Sequence, residues 1–137
     1  AGAEDTRLGW IRNGTEFYKI FTSRLDYVSA REACATEGGT LAMAKDEKKA
    51  AFLENLRNNA GLTNRLWIGL NDIETEGSYV WEDGTPLGNF NRFRSKAQSD
   101  TSQDCVALLP NSSSYANMWN NIDCSKSIRY ICQRQPC

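Results

Sequence analysis

The sequence predicts an α+β domain braced by disulfides. Three observations lead there. Two helical stretches lie in the first half of the chain, short apolar runs separated by turn residues follow them, and five cysteines lack the spacing of a metal site.

At 137 residues the chain suits one domain, residues 1–137, able to bury a core without metal or partner. Sixteen basic and seventeen acidic residues nearly cancel, so no global charge draws it to nucleic acid or an anionic membrane. No apolar run approaches the roughly 20 residues needed to cross a bilayer. Ala1 to Arg7 lacks the charged region and apolar core of a signal peptide.

Phe17 to Phe21 is aromatic and β-branched and reads as an early strand. Tyr27, Ala30, Ala33, Cys34 and Glu37 then follow helical spacing, which predicts a helix over Leu25 to Glu37 ended by Gly38-Gly39. A second helix begins after Asp46, whose carboxylate can cap free amides. Ala50, Leu53, Leu56 and Ala60 form its apolar stripe, and Gly61 stops it. Beyond it, Leu66–Leu70, Tyr79–Trp81, Val106–Leu109 and Arg129–Cys132 read as strands. The polar stretch from Thr85 to Asp104 is too long for a plain connection and points to a functional or metal-organised loop. Trp67, Trp81 and Trp119 lie in strand motifs and are expected in the core; Trp10 lies outside them.

The cysteines are Cys34, Cys105, Cys124, Cys132 and Cys137. Two disulfides and one spare thiol fit them best, which implies an oxidising, extracellular setting and a secreted protein. The sequence leaves the pairing open. Asn13-Gly14-Thr15 and Asn111-Ser112-Ser113 match the glycosylation triplet, a weak further sign of secretion. Histidine is absent, which removes the usual general base and every Ser-His or Cys-His pair. Glu74 and Glu76 are neighbouring acids with no supporting site for glycoside hydrolysis. The chain is therefore expected to bind rather than to catalyse.

From Phe17 to Cys132 these stretches resemble the C-type lectin-like family. The matching segments are Cys34 with Gly38-Gly39-Thr40-Leu41-Ala42, Trp67-Ile68-Gly69-Leu70-Asn71-Asp72, Glu76-Gly77 and Tyr79-Val80-Trp81 with Asp83-Gly84. They continue in Asp104-Cys105-Val106, Trp119-Asn120-Asn121-Ile122-Asp123-Cys124 and Tyr130-Ile131-Cys132. The resemblance implies a C-type-lectin-like fold: two helices flanking two small antiparallel sheets, with a long loop region over the second. It also implies two internal disulfides, Cys34–Cys132 and Cys105–Cys124, with Cys137 left outside the pattern.

In calcium-dependent members of that family, sugar binds a calcium ion directly. The resemblance places the ligands on Gln98, Asp100, Gln103, Asn120 and Asn121. Gln98-Ser99-Asp100 is similar to the galactose-type motif, with Ser99 replacing its central proline. Asp100 alone among the five is ionised, and ligand charge tunes calcium affinity, so a weak or lost site is expected. A second, structural calcium site is implied at Asp72, Glu76 and Asp104, all carboxylates here. Arg94 and Lys96, with Arg92 and flanked by Phe90 and Phe93, offer a basic patch for sulfated or sialylated glycans. The plainer reading is a solvated loop with Phe93 in the core.

The expectation is a secreted, calcium-assisted lectin for a carbohydrate or glycoconjugate, galactose-type or recognising anionic glycans. The alternative is a lectin-like module that binds a protein, a mineral or an anionic surface without calcium-linked sugar recognition. Cys137 is a candidate for intermolecular pairing into a disulfide-linked homodimer.

Overall fold

The computed structural model describes residues 9–61, 65–90, 92–93, 104–109 and 118–135. In chain order the elements are β1 (Ile11–Asn13), β2 (Glu16–Leu25), α1 (Tyr27–Thr36), β3 (Thr40–Leu41) and α2 (Glu47–Asn59). They continue with β4 (Leu66–Asn71), β5 (Val80–Trp81), β6 (Cys105–Leu108), β7 (Trp119–Ile122) and β8 (Ile128–Arg134).

Both helices start on aspartate. Asp26 accepts from the Ser29 amide at 2.8 Å and Asp46 from the Lys49 amide at 2.9 Å, satisfying donors that a first helical turn leaves free. Helix α1 starts at Tyr27 rather than Leu25, because Asp26 caps it and Leu25 is still paired with Ile128 in the sheet. Tyr27, Ala30 and Cys34 face inward as their spacing requires. In α2 the buried residues are Ala50, Leu53, Glu54 and Arg57, so two charged side chains join the stripe that hydrophobicity alone marks.

The sheet runs β1-β2-β8-β4-β6-β7, with β3 on β8 and β5 on β4. All pairings are antiparallel except β4 with β8. That short parallel contact, Leu66 opposite Arg129 and Trp67 opposite Tyr130, joins the two antiparallel halves.

Two glycines let the backbones meet. A Cβ on Gly39 would stand 1.9 Å from the Gln133 carbonyl oxygen, and one on Gly69 would stand 2.7 Å from that of Leu41. The Gly69 amide instead donates to Ala42 at 2.7 Å. These contacts explain why the glycines stand in the Gly-Gly-Thr-Leu-Ala and Trp-Ile-Gly-Leu segments.

Two apolar clusters fill the interior, one around Ile68, Leu70, Trp81, Trp119 and Ile131, the other around Tyr27, Trp67 and Tyr130. Trp67, Trp81 and Trp119 are all core, and Trp10, which the sequence left unplaced, is buried too. Phe93 packs on Trp119 with ring centres 5.7 Å apart, fulfilling its expected core role. Cys34 bonds to Cys132 and Cys105 to Cys124, the pairing that the resemblance implied.

Candidate functional site

The site is built by the register of β4 against β6. Asn71, the last residue of β4, faces Cys105, the first of β6. The next step out brings Asp72 to Asp104, and the Asp72 amide donates to the Asp104 carbonyl at 2.9 Å. The chain then turns back through residues 73–78. Asn71 accepts from the Ile73 amide at 3.0 Å, and Gly77, at φ +84°, turns its amide onto Asp72 Oδ2 at 2.8 Å. That turn carries Glu76 to the two aspartates.

Asp72, Glu76 and Asp104 each offer a carboxylate oxygen, and these oxygens lie within 4.8 Å of one another. Asp72 is 1% exposed. Its Oδ1 and the Oδ1 of Asp104 are buried with no hydrogen-bond partner among the described residues. Burial, then hydrogen bonding with Asp104 and the charges of Asp72 and Asp104, push the Glu76 carboxyl up to about 7. Asp72 is raised chiefly by burial, with the neighbouring Asp104 charge adding and the Gly77 amide opposing. Three acids at this separation repel strongly unless a cation or protons compensate. Two buried oxygens without donors, and an all-oxygen donor set, fit a hard divalent cation such as calcium.

Asn120 and Asn121 lie one strand away. On β7, Asn121 faces Val106 and Asn120 faces Ala107. Asn121 is buried and Asn120 half-buried. Gln98, Ser99, Asp100, Gln103, Arg94, Lys96 and Cys137 lie outside the described residues. Arg92, grouped with Arg94 and Lys96 by sequence, is tied to α2. Its guanidinium reaches Glu54 at 2.7 Å and Glu47 at 2.8 Å, and it stacks over Phe90.

A network that the sequence did not reveal underlies the turn. Glu82 accepts from the Tyr27 hydroxyl at 2.7 Å and pairs with Arg31 at 3.0 Å. Asn71 Nδ2 reaches the same Tyr27 oxygen at 3.2 Å while its carbonyl end holds the turn. The signal was faint: one glutamate in a strand-end motif, with partners 51 and 55 positions away.

Residues 23–134 match the family model described as "Lectin C-type domain". The chain belongs to the C-type lectin domain family. Among curated relatives of this lectin domain, Collectin-10 of Gallus gallus is 37% identical over 120 residues, covering 86% of the chain and 41% of the relative. C-type mannose receptor 2 of Homo sapiens is 29% identical over 116 residues, covering 85% of the chain and 8% of the receptor. The chain thus spans about two fifths or less of these relatives. The fold matches the carbohydrate-recognition domain of mouse scavenger receptor C-type lectin with a TM-score of 0.81 at 21% identity, covering 94% and 95% of the two chains. It also matches a calcium-independent type II antifreeze protein with a TM-score of 0.80 at 20% identity, covering 93% and 92%.

Proposed function

We propose that this lectin domain is a secreted, calcium-assisted carbohydrate-binding module, with residues 1–137 forming one domain that binds rather than catalyses. The observation that carries the reading is the carboxylate cluster. Asp72, Glu76 and Asp104 would hold a calcium ion, and the buried, donorless oxygens of Asp72 and Asp104 are what such an ion needs. A bound cation there would fix the turn after β4 against β6, stiffening one end of the sheet. Calcium itself, when bound at a sugar site, supplies open coordination positions for vicinal hydroxyls.

The sugar-facing residues in this reading are Gln98, Asp100, Gln103, Asn120 and Asn121, with Arg94 and Lys96 favouring anionic glycans. The amide side chains would orient sugar hydroxyls by donating and accepting hydrogen bonds. Cys137 would pair two copies, and avidity would offset weak single contacts. The relatives named collectin and mannose receptor support carbohydrate as the ligand class.

A second reading has its own support. Four of the five sugar-site residues are uncharged, and one fold neighbour is a calcium-independent antifreeze protein. On that reading the domain binds a protein or a mineral or anionic surface without calcium-linked sugar recognition.

Calorimetry and affinity chromatography separate the two. Calcium should bind the wild type and not Asp72→Asn, and immobilised galactose or mannan should retain the protein until chelator is added. Calcium binding without retention on any sugar column would favour the second reading.

A further inference from the structure

The two ends of β4 carry opposite charge. Asp72 follows its last residue, beside Glu76 and Asp104, and Arg65 precedes its first. Six residues of strand separate these poles, which amounts to about 20 Å.

At the basic end the sheet register again does the gathering. β2 ends with Leu25 opposite Ile128, which brings Arg24 to the start of β8. β4 enters parallel to β8 with Leu66 opposite Arg129, which brings Arg65 to the same corner. Arg24, Arg65 and Arg129, with Ser127 and Ile128, line a cavity of about 230 Å³ that contains no carboxylate. Among the described residues none of the three guanidinium groups enters an ion pair.

Arg129 decides what the cavity is for. Its Nε and Nη1 are buried and have no hydrogen-bond acceptor among the described residues. A guanidinium cannot escape burial by losing its proton, so its fork of donors calls for an acceptor. Nε–H and Nη1–H leave different edges of the guanidinium, so an oxyanion in the cavity would meet one edge of Arg129, and the two further arginines can meet its remaining oxygens. We propose that Arg24, Arg65 and Arg129 form a binding site for a tetrahedral oxyanion, a sulfate or phosphate monoester, at the pole opposite the carboxylate cluster. The site needs no metal and shares no residue with the sugar site proposed above.

The test is a titration of the chain with sodium sulfate at constant ionic strength in chelator, following the arginine Nε–Hε resonances by NMR. The Arg129 resonance should shift and saturate. Arg65→Gln, a change at a half-exposed side chain, should weaken sulfate about five- to tenfold while leaving the amide spectrum otherwise intact. Arg129→Gln should abolish the sulfate-dependent shifts of the Arg24 and Arg65 resonances. A sulfated disaccharide set against inorganic sulfate identifies the source: tighter binding of the sulfated sugar assigns a glycan ester, whereas equal affinity assigns the free ion. A shift that does not saturate, or one unchanged in Arg65→Gln, would overturn the proposal.

Discussion

The Asp72 amide donates to the Asp104 carbonyl at 2.9 Å, so two carboxylates are held side by side by backbone that neither side chain controls. Repulsion between them cannot be relieved by rotating one strand end away without breaking the β4–β6 register. Charge compensation is the remaining route. This relationship turns a pair of loop acids into a candidate cation site, and the first predictions rest on it.

Calcium should stabilise the folded chain by mass action. At a concentration 100 times the dissociation constant the gain is about 2.7 kcal/mol. Thermal unfolding with and without calcium measures it. Asp72→Asn and Asp104→Asn should each remove most of the gain, and an unchanged gain in both would place the ion elsewhere.

The chelated protein should lose stability as pH rises towards neutrality. Glu76 is raised from the ordinary 4.5 to about 7 in the folded chain. Its protonated form is therefore favoured by folding, a contribution complete below about pH 4.5 and lost as pH passes through about 7. Denaturant midpoints from pH 4.5 to 8 should fall in chelator, and Glu76→Gln should flatten that fall. A midpoint that rises over this range in chelator would contradict the raised Glu76.

Glu82→Ala should destabilise the domain by about 2–3 kcal/mol, because it strands the Tyr27 hydroxyl in a buried setting and takes one of two acceptors from Asn71 Nδ2. Arg31, at 40% side-chain exposure, adds little of that cost. Urea unfolding gives the number. A loss below half a kilocalorie per mole would mean the network contributes no net stability.

Removing the disulfides should rank by loop length. Cys34–Cys132 closes a separation of 98 residues and Cys105–Cys124 one of 19. Chain-entropy estimates put these at about 4–5 and about 3 kcal/mol. Paired Cys→Ser variants compared by denaturant unfolding test the order, and a reversed ranking would show that native-state contacts, not chain entropy, set it.

Much of this was legible in the residues. Asp46 announced a helix start because a carboxylate there meets free amides whatever the tertiary context, and it does cap Lys49. These strand segments were legible because fully buried strands read as continuous apolar runs, as Leu66–Leu70 does within β4. Long-range charge was not legible. Arg57 is 0% exposed, its guanidinium donating to the Leu109 carbonyl, yet in sequence it looks like one more helical surface cation. Arg24, Arg65 and Arg129 are far apart in sequence, and the β2–β8 and β4–β8 pairings together bring them to one corner. The same holds for Glu82 and Arg31. Strands β1 and β3 were missed because three- and two-residue segments carry too little periodicity to register, and β7 was marked only by Trp119 because two asparagines fill its middle.

Calcium-assisted carbohydrate recognition is tested by glycan-array binding of the chain in calcium and then in chelator. Saturable signal is expected on a defined set of glycans in calcium, lost in chelator and in Asp100→Ala. No signal in either condition at high protein concentration would contradict it.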